Sequence, residues 1–497
     1  MRFKIQRIMK RSTNIYVTVI LLFLFTGCSE RFLDRYHPGT LGYDKLYITE
    51  SDFEAALSGC YQSIMETSTN TIYLGELPSD NTYVSQFQSS GTNVDLDRLG
   101  FTAETGIFSS YWSSNYTTIQ RVNLLIDKIA GSAINPAASQ RIIAEAKFLR
   151  AYSYFNLVRV FGGVPLYSGY VELSAMYDVP RASEEEVFDL IISDLSEASN
   201  LDAYRTAEER AVAGGRATTA AAQTLLGKAY LWKRDFQAAE NILSGLIDDG
   251  YYGLVPLETL YDPDQPFNEE IIFSINYDRA SGFGSPFTNA VVPYNAPQGL
   301  VYPNVQERTG SGLLMIEPYV FGKFADNDAR KTALLRQITF KNLGNIDDHI
   351  YSLKYIDANT TFNGLSGANT IVLRYADVLL MYAEALNENG QTGNAVGYIN
   401  QVRNRAGVDG LPETLSAQQV FEALADERQR EFLLEGDRWF DLRYRGINYL
   451  KETMGAFLPN AYLPQNRELQ LFDRFILFPI PEGQRQIKPI LDQNEGY

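Results

Sequence analysis

Cys28 closes a run of apolar residues from Ile15 to Phe25 that follows Arg2, Lys4, Arg7, Lys10 and Arg11. A thiol placed there, behind the small residues Thr26 and Gly27, is positioned for acylation after cleavage of an export signal over residues 1–27. Phe25 stands where such signals prefer Leu or another aliphatic residue. A second chemistry is concentrated in Gly75-Glu76-Leu77-Pro78-Ser79-Asp80-Asn81-Thr82-Tyr83. Asp80 and Asn81 could accept from and donate to vicinal hydroxyls, and Tyr83 or the nearby Tyr73 could stack on a ring. The plainer reading is a turn in which Asp80 or Asn81 caps a backbone amide. Further along, Trp112, Tyr116, Ile119 and Asn123 have helical spacing and share one face. That stripe reads first as core, with ligand stacking by Trp112 as the alternative. Tyr277, Asp278, Phe283, Phe287, Asn289, Tyr294 and Tyr302 form a loose aromatic and polar group, in which Tyr277 and Tyr294 are the preferred ligand contacts. The duller reading there is a satellite cluster that pins a long loop.

This is the chemistry of binding. His37 and His349 are the only histidines, which disfavours imidazole acid–base catalysis and multi-His zinc sites. The chain has no His-Glu-x-x-His, Gly-Lys-Ser/Thr or Gly-x-Ser-x-Gly motif. With 60 acidic residues a carboxylate pair can always be nominated, so abundance does not argue for glycoside hydrolysis. Asp326, Asp328 and Arg330 lack the full oxygen set of a calcium loop, and no metal or cofactor is assigned. The net charge of −17, with no basic run after Arg11, excludes nucleic acid as a natural partner. Beyond Cys28 the only other cysteine is Cys60, which sits in a helical pattern as a small buried hydrophobe.

The elements that must position these groups are mostly helices. Apolar residues recur at three and four from Arg141 to Phe161, and Gly162-Gly163 with Pro165 end the pattern. Ser183 and Glu186 form a capping box for a helix over Glu184 to Ala198. Leu226, Gly227, Tyr230, Phe236 and Ala239 fall at the spacing of a tetratricopeptide helix pair, and Tyr382, Ala383, Gly390, Ala395 and Ile399 repeat much of it. The expectation is a mostly α fold: a tetratricopeptide-like helical-repeat scaffold with long loops. Residues 262–312, rich in Pro, Gly, Asn and Ser around Ile271–Ile275, are expected to form a small mixed inserted subdomain. Regular helices are expected again over Leu373–Glu388, Ala395–Ala406 and Ala417–Leu434. Arg428, Arg430, Glu431, Glu435, Asp437, Arg438 and Asp441 read as ion pairs between helices, with Trp439 and Phe440 as core anchors.

Several stretches, taken in order, resemble the SusD/RagB family of Bacteroidota outer-membrane lipoproteins. They are Glu145–Tyr152, Phe161–Leu166, Leu373–Leu380, Glu427–Leu442 and Leu477–Glu482. The resemblance covers nearly the whole of 28–497. It implies a lipid-anchored binding protein at the cell surface, tethered through acylated Cys28 and seated over a TonB-dependent transporter of the SusC type. It also implies capture of nutrient oligomers, usually glycans, without cleavage. The segment around Asp80 resembles one near the family's ligand face. The alternatives are a peptide receptor of the same architecture and a repeat adaptor that binds only protein.

Overall fold

The computed structural model describes residues 46–87, 91–200, 209, 214–279, 284–297, 310–342, 344–357, 359, 366–462 and 473–497. Cys28 and the rest of 1–45, together with Phe283 and Tyr302, lie outside the described residues. Backbone contacts separate Met1–Ile48 from Thr49–Tyr497. The architecture below is that of the second unit.

Its first helix, α1 (Glu50–Glu76), opens on a reciprocal cap. Thr49 Oγ1 accepts from the Asp52 amide, and the Asp52 carboxylate accepts from the Thr49 amide at 2.8 Å. Phe53, Leu57, Cys60 and Ile64, at spacings of four and three, are its buried stripe. Burial pushes the Cys60 thiol up to about 12, so it packs as a hydrophobe. Then come α2 (Gly106–Ala130), α3 (Pro136–Phe161) and α4 (Glu184–Ala198). Gly162 stops α3 at φ +72°, a value that favours glycine. The Ser183–Glu186 capping box expected for α4 is formed.

Each helix leans on the next. α1 packs on α2, α2 on α3, α3 on α4, and α4 on α5 (Thr219–Trp232), which pairs with α6 (Phe236–Asp248). The second repeat pair, α7 (Tyr375–Glu388) and α8 (Thr392–Arg405), stacks on α6, and α9 (Ala417–Glu431) follows. Gly227 shows why a small residue is needed at its position, since a Cβ there would lie 2.6 Å from the Leu243 side chain of α6. Ala383, Ala395 and Ile399 are fully buried where α7 meets α8. The mostly α, repeat-like scaffold is therefore present, its core running along the helical array.

Short strands lie beside it in antiparallel pairs. β1 (Thr82–Tyr83) pairs with β3 (Met315–Ile316), and β2 (Ile271–Ile275) with β6 (Thr370–Arg374). β4 (Leu335–Asn342) and β5 (Asn345–Ser352) form a hairpin. Two expectations change here. Leu373 and Arg374 are strand, because the Thr370-Ile371-Val372 run finds β2 as a partner and the helix begins only at Tyr375. Within 262–312 the described elements are β2 and a turn of helix at Phe287–Val291, but the mixed part of the fold continues through the hairpin to Ser352.

Charged side chains tie the array to the strands. Arg374, at the end of β6, donates to Glu270 at 2.9 Å, Glu431 at 2.7 Å and Glu435 at 2.8 Å. Arg330 donates to Glu427 at 2.6 Å and Asp328 at 2.8 Å, Arg405 reaches Glu270 and Glu431, and Lys354 reaches Glu435 at 2.6 Å. Alongside, Arg428 binds Asp377 at 2.7 Å and Asp441 at 3.0 Å, and Lys228 bridges Asp377 and Asp437. Trp439 and Phe440, on α10 (Arg438–Tyr444), are buried beside them. Burial raises the Glu431 carboxyl, but Arg405, Arg374 and Arg330 outweigh it and hold the group well below the usual range. Glu76 ends differently: burial dominates and pushes it up to about 7, despite donation from Asn81 and the Gly436 amide.

These observations generate three expectations. Arg374→Met leaves three buried carboxylates short of their partner and should cost about 3–5 kcal/mol in urea unfolding. Glu431 contributes stability at neutral pH that is lost as the pH falls below the ordinary carboxylate range toward the group's own depressed value, whereas Glu76 contributes stability at low pH that is lost as the pH rises through about 7. Glu76→Gln should therefore narrow the difference between urea midpoints at about pH 5 and about pH 8; an unchanged difference refutes the assignment. Finally, a Cβ on Gly75 would lie 1.9 Å from the Gly436 carbonyl oxygen, while one on Gly59 of the same helix meets nothing within 4 Å. Gly75→Ala should lower stability by about 1–3 kcal/mol or more, and Gly59→Ala should raise it by about 0.5–1 kcal/mol.

Candidate functional site: an aromatic and amide face beside the hairpin

The residues singled out from the sequence fall in three places. Asp80 is fully buried: Arg438 Nε donates to one carboxylate oxygen at 2.7 Å and Arg438 Nη2 to the other at 2.9 Å, with Gln429 donating at 2.8 Å. Burial raises this carboxyl, and Arg438 more than offsets it, so the group is held ionised below its usual range. Asn81 is also buried, donating to Glu76 at 2.9 Å and accepting from Gln429 at 3.0 Å. The expectation that Asp80 and Asn81 face a ligand is corrected on this geometry. They clamp the end of α1 to α9 and α10, because a carboxylate next to a buried guanidinium gains more from that pairing than from solvent.

Tyr83 is buried as well, and its hydroxyl shares a 2.8 Å hydrogen bond with His349 Nδ1. Its ring stacks on Tyr462 with centroids 4.5 Å apart, so Tyr83 is a support and not an open platform. Trp112 is 5% exposed and packs on Tyr116 and Phe161. Tyr73 is half-buried, 5.9 Å from Phe287, its hydroxyl pushed up to about 12 by burial. Tyr277 is half-buried, its hydroxyl 3.4 Å from Ser68 Oγ. Of the group, Tyr294 has the neighbourhood a binding face requires.

Tyr294 stacks on Phe87 with centroids 5.5 Å apart, and both rings are half-buried. Phe87 follows β1, and the register of β1 with β3 brings it near Tyr294: Ser85 N donates to the Gly312 carbonyl at 2.8 Å, and Tyr294 bridges Gly310. Gly312, at φ +62°, allows this crossing, since a Cβ there would lie 2.8 Å from Ser85. The next residue, Asn295, has φ +56°, a conformation that Asn tolerates better than most residues.

Amides and a carboxylate border the rings. The exposed Gln86 donates to Asp347 Oδ1 at 3.2 Å, Asn295 donates to Asn342 at 3.3 Å, and Asn342 donates to the Tyr294 carbonyl at 3.3 Å. Asp347 and His349 come from one face of β5 by the two-residue period of a strand. Ser85 Oγ, Asp347 Oδ2 and His349 Nε2 are buried without hydrogen-bond partners. Burial chiefly lowers the His349 pKa, so the imidazole is neutral at pH 7, while Asp347 and Asp348 pull it back up. Beneath lies a hydrophobic floor of Tyr83, Val292, Met315, Ile338, Phe340 and Tyr351. Chemically this is a partly exposed aromatic pair ringed by amides, suited to an apolar C–H face edged with hydroxyls. Phe87, Gln86, Asp347 and Tyr462 were missed in the sequence. A usable signal was the alternation of Ile338 and Phe340 with polar residues before Gly344, which marks a hairpin with Asp347 and His349 on its return strand.

The comparisons agree with this architecture. Residues 339–497 match the SusD family, and residues 32–231 match a family described as "Starch-binding associating with outer membrane"; together the two spans exceed half of the chain. SusD-like protein P38 of Formosa agariphila is 27% identical, covering 98% of this chain and 100% of its own. A solved laminarin binding SusD-like protein is 25% identical with TM-score 0.76, covering 91% of this chain and 100% of that one. The surface glycan-binding protein A from Bacteroides uniformis, at 23% identity and TM-score 0.73, covers 90% and 99% and shares the fold. Two family matches in chain order, relatives aligned over nearly the whole chain and a common helical array agree: it belongs to the SusD family.

Proposed function

We propose that this protein captures glycan oligomers at the Phe87–Tyr294 face and hands them to a SusC-like TonB-dependent transporter at the outer membrane, tethered through acylated Cys28. The stacked aromatic pair bordered by Gln86, Asn295 and Asp347 carries the reading. Membership of the SusD family and the likeness to a laminarin binding protein support it. No helix among the described residues is long and apolar enough to cross a membrane, so attachment in this reading falls to the acyl chains.

The work of the site is recognition. A sugar ring laid on Phe87 or Tyr294 buries its C–H face, which the aromatic rings favour. Its hydroxyls exchange water for the Gln86 and Asn295 amides, with the buried Asp347 holding Gln86 in place, and each such exchange is worth little net. Affinity therefore accumulates over several rings of an oligomer while each ring remains loosely held. That suits a protein that must release its cargo to a transporter, and no bond in the ligand needs to break.

Calorimetric titration of the full chain with laminarin oligomers, malto-oligomers and mixed peptides tests the proposal. At least one neutral glycan should bind, and Phe87→Ala with Tyr294→Ala should weaken it by roughly tenfold or more, in line with the loss of about 1–3 kcal/mol of stacking. Binding of peptides alone, or glycan binding indifferent to both substitutions, would overturn it. Separately, Cys28→Ala should move the protein from the membrane fraction to the soluble one with its circular dichroism unchanged. Persistent membrane attachment would refute the tether.

A further inference from the structure

A second concave surface runs along α2, and it shares no residue with the Phe87–Tyr294 face. Ser113, Thr117 and Arg121, exposed and four residues apart, form a ridge common to two adjoining cavities of about 460 and 490 Å³. Each is in the size range of small-ligand pockets, about 300–1,000 Å³. The second is lined mainly by hydroxyls, with the one amide of Gln62, and its one acid, Glu66, accepts from Ser110 at 2.7 Å.

The first is lined by Trp112, Tyr116, Tyr167 and Tyr177 together with Ile487 and Lys488. Its rim holds Tyr177 at 45% and Ile487 at 59% exposure, unusually open for such large apolar groups. Its lining contains two cations, Arg121 and Lys488, and no carboxylate, in a chain with 60 acidic and 43 basic residues.

Lys488 is the unusual member. It is only 8% exposed, and its ammonium donates to the Tyr167 hydroxyl at 3.1 Å and the Met176 carbonyl at 2.8 Å. Both acceptors are neutral, an ammonium has a third donor, and among the described residues no carboxylate lies within ion-pair distance of it. Burial lowers its pKa to about 8, with only Asp178 acting in the other direction. A buried cation without an anion is costly, and an anionic ligand group would relieve that cost. Gln120 also lines this cavity, and its Nε2 is buried without a partner. Every other strongly buried cation described above, from Arg374 to Arg438, has its carboxylate inside the protein.

We infer that the α2 groove is a second saccharide site, taking a sugar that bears an acid group, carboxylate or sulfate, with the acid at Lys488 and the ring against Tyr177. The inference rests on the glycan-binding reading above and adds to it a separate site with a different charge preference. The hydroxyl-lined half of the groove extends the site for neighbouring rings of the same oligomer.

The test is calorimetric titration of the full chain with oligogalacturonate, a sulfated galactan oligomer and neutral laminarin oligomers. At least one acidic probe should bind, and more weakly as salt is raised. Lys488→Met should reduce that binding tenfold or more and leave neutral binding unchanged. Tyr177→Ala, at an exposed position, gives an independent readout should Lys488→Met fold poorly, and should weaken acidic binding several-fold. Phe87→Ala should weaken neutral binding and spare acidic binding. Whichever acidic probe binds identifies the acid group. The inference is overturned if neither acidic probe binds, if Lys488→Met and Tyr177→Ala leave acidic binding intact, or if Phe87→Ala weakens acidic and neutral binding together. Loss of neutral binding in the wild type, with Lys488-dependent acidic binding retained, would instead overturn the Phe87–Tyr294 assignment.

Discussion

Arg374 holds the two halves of this molecule in register. It ends a strand, starts α7 and reaches three carboxylates that come from β2 and from the α9 region. Charges this deeply buried are tolerable only as a completed set, because each guanidinium or carboxylate left alone would face a desolvation penalty of several kcal/mol. The set therefore acts as a condition on the fold. If α9 shifted by one turn, Glu431 would leave Arg374, Arg405 and Arg330 at once. The burial of Asp80 against Arg438 extends the same condition to the end of α1, and so to the chain that continues into β1.

That chain of constraint ends at the proposed binding face. The helical array supplies a stiff support whose neighbours pack in succession, and the ionic set fixes where β1 leaves it. From there the β1–β3 pair and the hairpin converge on one hydrophobic floor, and the rings of Phe87 and Tyr294 lie above it. In that proposal, buried groups such as Asp80, Asn81 and Tyr83 serve indirectly, by setting the positions of the half-exposed residues above them. The proposed groove along α2 uses the array itself, with Ser113, Thr117 and Arg121 aligned by helical geometry and Lys488 brought in from the far end of the chain.

How much was legible in advance follows the range of the interactions. The Ser183–Glu186 cap and the Gly162 stop are written within a few residues and the role of Gly227 within one helix pair, and all were readable. The ionic character of Arg428, Glu431 and Asp437 was readable from type and spacing, while their partners across more than fifty residues were not. Asp80 illustrates the failure. Its neighbours Pro78, Ser79 and Asn81 look like an exposed polar turn, and nothing local reports that Arg438, 358 positions away, is waiting for the carboxylate. Leu373 and Arg374 failed for a similar reason: a β-branched run next to a helical pattern becomes strand only because β2 is there to pair with it.

The sequence by itself determined the class of the molecule: a helical-repeat chain with a cysteine behind an export-signal pattern, poor in histidine, acidic and without the motifs of catalysis. Those properties are sums or short-range patterns, so no coordinates were needed to read them. Only the tertiary structure decided which aromatic residues are platforms and which are core. Tyr83 and Tyr294 are the same residue type in similar company, yet one is sealed under Tyr462 and the other stacks half-open on Phe87. Exposure of a side chain depends on what distant segments cover it, and that coverage is fixed by packing and buried charge pairing across the whole chain.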